Sequence, residues 1–141
     1  MQHEKEVAYL NKLTRILEDF KTNLDERWSV VQTQMEYQRK MSREEAMNKD
    51  KIQNRVDPET KKSMYSNQEK RDIALFKILE SDQTYLEYKD EYEKASKRLS
   101  ELDRNLEILK REQAIVGKQV DLQVSLRNYD ASVILAAQHI N

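Results

Sequence analysis

A chain that reverses direction needs glycine for backbone angles closed to other residues, and proline to preset its turns. This one holds a single glycine and a single proline in 141 residues. It is therefore expected to be almost all helix, in a few long pieces. The spacing of apolar residues says which kind of helix. From Ala74 a position recurs in alternating steps of four and three: Ile78, Ser81, Tyr85, Tyr88, Tyr92, Ala95, Leu99, Leu102, Leu106, Leu109, Gln113, Val116, Val120. Only Ser81 and Gln113 break the apolar series, which runs for more than six heptads. Such a seam specifies a coiled coil.

The first helix is expected over residues 1–53, with the stripe Leu10, Leu13, Leu17, Phe20, Leu24, Trp28, Val31 and Met35. Two consecutive steps of four meet at Leu24, a stutter that relaxes a supercoil. Trp28 is expected to fill the widened seam there. Residues 54–67 form a linker, in which Asp57 reads as an N-cap, Pro58 as the first helical position and Glu59 as a first-turn acid. A short helix is expected to follow to about Tyr65, and Ser66-Asn67 offers a second cap. The heptad helix then occupies residues 68–127. Asn128-Tyr129-Asp130 reads as a break, and residues 130–141 as a terminal helix apolar nearly all round. That tail, with Val133, Ile134, Leu135 and Ile140, either tucks against the rest of the chain or joins subunits, and oligomerisation is the expectation. The fold class is thus all-α: one domain, a long antiparallel helical hairpin or coiled coil with a short linker and a short apolar C-terminal helix.

Several kinds of chemistry lack their residues. There is no cysteine, hence no disulfide and no thiolate ligand. The start of the chain has no apolar run of the secretory kind, and no stretch approaches the roughly 20 apolar residues of a membrane span. A cytoplasmic location is the expectation. Gly117 stands alone, so no glycine-rich phosphate loop is present; in its helix it marks a hinge, a close helix crossing or a tolerated cost. His3 and His139 lie near opposite ends of the sequence, without metal-ligand spacing. Glu87, Asp90, Glu91 and Glu93 sit among lysines as surface ion pairs would. No catalytic residue, cofactor or metal is expected, and the chain does not read as an enzyme.

Charge placement carries more. Residues 39–71 hold ten basic and six acidic side chains, a net of +4, which leaves −5 for the rest of a chain whose total is −1. Lys49, Lys51, Arg55, Lys61 and Lys62 flank the linker turn, where they could meet a phosphate backbone from two sides or form a solvated loop of mixed charge. Tyr85, Tyr88 and Tyr92 could stack bases, but their seam positions favour packing. Met35, Met41, Met47 and Met64 read as adaptable filler near the turn.

The run Phe76-Lys77-Ile78-Leu79-x-x-Asp82-x-x-Tyr85-Leu86-x-x-x-Asp90-Glu91-x-x-Lys94, followed by Leu99, Leu102, Leu106 and Leu109, resembles the C-terminal half of the phage UvsY-like recombination mediator family. The resemblance implies homo-oligomeric rings built through C-terminal helices. It also implies single-stranded DNA binding by linker lysines and arginines, and loading of a recombinase onto strands coated by single-strand-binding protein. The rival is a coiled-coil structural or adaptor protein of the stalk, scaffold or export-chaperone type, binding other proteins and no nucleic acid.

Overall fold

In a computed structural model the chain is all-α. The structure describes residues 2–56, 58–62, 65 and 67–140, with the side chains of Gln2 and Ile140 left out of that description. Its helices are α1 (Gln2–Gln53), α2 (Gln68–Ser81) and α3 (Gln83–Ile140). Two compact units result, one of Met1–Arg27 with Glu101–Asn141 and one of Trp28–Ser100. Helices α1 and α3 each give a segment to both. The linker therefore spans residues 54–67, and the expected cap at Asp57 lies outside the described residues.

In the first unit α1 and α3 run antiparallel. Ile16, Leu109 and Val116 form its core, with Tyr9, Leu13, Phe20 and Val120 packed around them. Leu102 is fully enclosed. The Arg27 guanidinium meets Asp103 at 2.7 Å, and Arg127 meets the buried Glu6 at 3.1 Å. Rising numbers on one helix thus meet falling numbers on the other.

The second unit repeats that direction with polar cross-links. The Gln34 amide donates to the Ser96 hydroxyl at 3.0 Å, and the Tyr85 hydroxyl donates to Glu45 at 3.3 Å. The rings of Tyr37 and Tyr88 stand 6.2 Å apart, with the Lys40 ammonium over both. Ile52 near the end of α1 is buried beside α2, where Ala74 is also buried.

The heptad seam matches the burial residue by residue. Ala74, Ala95, Leu102, Leu106, Leu109 and Val116 are buried, and Ile78, Tyr85, Tyr88, Tyr92, Leu99 and Val120 half-buried. The two polar interruptions, Ser81 and Gln113, are exposed. Partnered packing of an apolar stripe, more than intrinsic propensity, holds such helices.

Four expectations need correction. The α1 stripe mixes two faces. Leu13 and Phe20 face α3, whereas Leu10, Leu17, Leu24 and Met35 are half exposed and Trp28 is 69% exposed. Trp28 fills no seam; the inward positions include the polar Asn23, Gln34 and Asn48, which leucine spacing passes over. Among the described residues of 58–65 no helix follows Pro58, because residues 58–60 make a turn and Lys61 has φ 54. That left-handed angle stops a helix and costs a lysine roughly 1 kcal/mol.

The third correction is that the helix of residues 68–127 is interrupted at Asp82, whose backbone is extended. The fourth is that no break occurs at Asn128-Tyr129-Asp130. Helix α3 runs through them to Ile140, so the expected helix of residues 130–141 is, over its described residues, the end of α3. Asn and Asp inside a helix cost only a few tenths of a kcal/mol, and Ala131, Ala136 and Ala137 nearby favour continuation.

Gly117 sits in the interior of α3, and a Cβ built there meets nothing within 4 Å. A close crossing is therefore absent at this position. Gly117→Ala is expected to raise stability by about 0.5–1 kcal/mol by removing backbone freedom from the unfolded chain. Thermal melts followed by circular dichroism would show it, and a lower midpoint would mean the glycine is needed for bending.

Candidate nucleic-acid interface

Asp82 organises the helix junction within the second unit. As N-cap of α3 its carboxylate accepts the Tyr85 amide at 3.2 Å, the bond that caps a first turn. The Asn48 side-chain amide donates to Asp82 at 3.1 Å and to the Glu44 carbonyl at 2.9 Å. Asn48 is only 5% exposed, so α1 grips the junction directly.

Glu44 completes the cluster. Its carboxyl is held above the ordinary value, first by the hydrogen bond to Asp82, then by burial and the Asp82 charge, with Lys51 pulling the other way. Burial opposes the charge of Asp82, yet hydrogen bonds from Glu44, the Tyr85 amide, Asn48 and the Thr84 amide outweigh it and hold Asp82 low. A raised folded pKa means that the contribution of Glu44 is present below its unfolded pKa and lost as pH rises through the folded one. The lowered Asp82 behaves oppositely, losing its contribution as pH falls. Glu44→Gln keeps a donor toward Asp82 and deletes a charge, so it is expected to raise the melting temperature at neutral pH. The gain should shrink at acidic pH, where Glu44 itself takes up a proton. An equal gain at both pH values would contradict the pairing.

The linker cations lie beyond this junction. Lys49, Lys51, Arg55, Lys61 and Lys62 are all exposed. Lys49 shares a small recess with Gln53 of α1 and Gln68, Arg71 and Asp72 of α2. Arg55 donates to the Tyr65 hydroxyl at 3.5 Å. Tyr65 in turn lines a cleft of about 290 Å³ with Lys70, Ile73, Ala74 and Lys77. Arg55 is thereby joined to a cleft with an apolar floor, one tyrosine and two lysines. Lys61 and Lys62 follow the turn of residues 58–60 and are not among the described residues that line that cleft.

Helix α2 is fixed from its start. The Asn67 side chain accepts the Lys70 amide at 2.8 Å. Lys70 and Lys77 are then one heptad apart on a common face, which brings both to the cleft. The sequence alone suggested Lys70 only as part of the basic segment, and Lys77 and Tyr65 not at all. The seven-residue spacing from Lys70 to Lys77 was the available signal.

The tyrosine run belongs elsewhere. Tyr85, Tyr88 and Tyr92 are half-buried against α1, so their faces are engaged in packing. Met41 is buried while Met35 and Met47 are half exposed, and Met64 lies outside the described residues. Among the described residues no group of three or more His, Asp or Glu side chains could hold a metal ion. None of the described helices is long and apolar enough to cross a membrane. No protein-family model, curated protein or solved structure matches this chain.

The expected oligomerisation residues are open. Val133, Ile134 and Leu135 are 48%, 58% and 57% exposed. The side chain of Ile140 lies outside the described residues.

Proposed function

We propose that this chain is a self-associating helical protein that binds single-stranded DNA with the basic segment around its linker. The cleft that joins Arg55 through Tyr65 to Lys70 and Lys77 carries the reading. Proteins that hold single strands combine cations that follow the backbone with an aromatic face on which a base stacks. Lys49, Lys51, Arg55, Lys61 and Lys62 supply exposed charge beside that cleft. In line with the resemblance to recombination mediators, the partners would be a recombinase and a single-strand-binding protein. Self-association is supported by the uncovered tail, because apolar side chains at Val133, Ile134 and Leu135 gain little while they face water.

Alanine at all five linker cations tests this. Each phosphate contact on a single strand contributes about −0.7 to the salt slope, so affinity for a labelled oligonucleotide should drop at least about tenfold and its salt dependence should flatten. Helicity should not change, since the five lie off the seam. Unaltered affinity would remove the linker from the interface. The adaptor reading is favoured by one observation, the exposure of Trp28 and of Phe76, at 69% and 65%. It would stand if the native protein failed to bind single strands even at low salt.

A further inference from the structure

Within the unit of residues 1–27 and 101–141, each helix carries a second apolar stripe that its partner does not cover. On α1 this is Leu10, Leu17 and Leu24, exposed by 50%, 51% and 52%. On α3 it is Ile108, Ile115 and Leu122, exposed by 46%, 58% and 58%. Both stripes repeat every seven residues, the spacing of a coiled-coil seam. The α1 stripe follows the inward residues by one position, as Leu17 follows Ile16. The α3 stripe precedes them by one, as Ile115 precedes Val116. In an antiparallel pair, positions after the seam on one helix and before it on the other open on opposite sides. One copy therefore cannot bring its two stripes together.

We infer that the α1 stripe of one copy packs in parallel on the α3 stripe of a second copy, with Leu10, Leu17 and Leu24 opposite Ile108, Ile115 and Leu122. This rests on the self-association proposed above and names its contact. Charge sets the direction. Glu18 and Asp25 directly follow Leu17 and Leu24, and Arg111 and Lys118 lie four residues before Ile115 and Leu122. All four are exposed. In a parallel coil these are the flanking positions that meet, giving Glu18 with Arg111 and Asp25 with Lys118. An antiparallel coil would instead turn both acids toward Leu109 and Val116, which are already buried.

Register follows from the intervening residues. In this alignment Thr14 faces Glu112 and Lys21 faces Gln119, so polar meets polar in the layers between the apolar ones. A slip of one heptad sets Leu10 against Glu101 or Ile108 against His3. Because the two stripes open on opposite sides, each copy accepts one neighbour and is accepted by another. Such a heterologous contact closes into a ring or continues as a filament.

The test uses the full chain and two surface variants, Glu18→Lys/Asp25→Lys and Arg111→Glu/Lys118→Glu, each checked for native helicity. Each variant alone sets like charges along the contact. Its mass by light scattering at low salt should drop at least twofold from that of the native protein. An equimolar mixture lets the two variants alternate with complementary rims and should raise the mass well above that of either variant alone, toward the native value. Separately, Leu17→Cys and Ile115→Cys proteins, mixed and oxidised, should form a disulfide-linked dimer, whereas Leu17→Cys with Leu122→Cys should not. A native protein at the 16.9 kDa of one chain would overturn both this contact and self-association. A native oligomer that ignores both rim variants and forms no cross-link would overturn the contact alone.

Discussion

Replacing Asp82 with alanine is expected to destabilise the protein by about 2 kcal/mol. Loss of an N-cap costs about 1 kcal/mol. A further 1 kcal/mol or more follows from leaving a buried donor of Asn48 without its acceptor. Asp82→Asn retains an oxygen for the Tyr85 amide and should cost clearly less. Urea denaturation followed by circular dichroism separates the two. Equal midpoints for the native protein and the alanine variant would mean that the junction between α2 and α3 is not held by this side chain.

Leu102→Ala should cost more, about 3 kcal/mol, because it empties a site with no exposure and the surrounding helices collapse only in part. Leu122→Ala is the informative control. At 58% exposure it should alter the stability of an isolated copy by less than about 0.5 kcal/mol. If the two leucines proved equally costly, the phase of the α3 seam would be wrong, since only the phase distinguishes them.

That phase was legible in the sequence because the seam recurs in alternating steps of four and three from Tyr85 to Val120, denser than the second stripe of one residue per heptad at Ile108, Ile115 and Leu122. Even the exceptions were informative, as Ser81 and Gln113 are the exposed seam positions. Helix α1 was harder. Three of its four leucines, Leu10, Leu17 and Leu24, mark the outer stripe, while its inner face mixes Leu13, Ile16 and Phe20 with the polar Asn23, Gln34 and Asn48, whose value depends on partners that a sequence does not show. The interruption at Asp82 was hidden for a related reason. An aspartate can cap a helix or decorate one, and the bond from Asn48, 34 residues away, stands with the cap here. At Asn128-Tyr129-Asp130 the same ambiguity resolved the other way. The basic segment could be read from charge alone, but the cleft needed α2 to set Lys70 and Lys77 beside Tyr65.

The central claim is that the linker region neutralises phosphates on a single strand. Fluorescence anisotropy of a labelled single-stranded oligonucleotide, titrated with native protein at about 50 mM and about 200 mM salt, tests it most directly. With five contacts per protomer, the salt slope of about −3.5 predicts an affinity about a hundredfold lower at the higher salt. Binding that does not change with salt, or no binding at the lower concentration, would contradict the account.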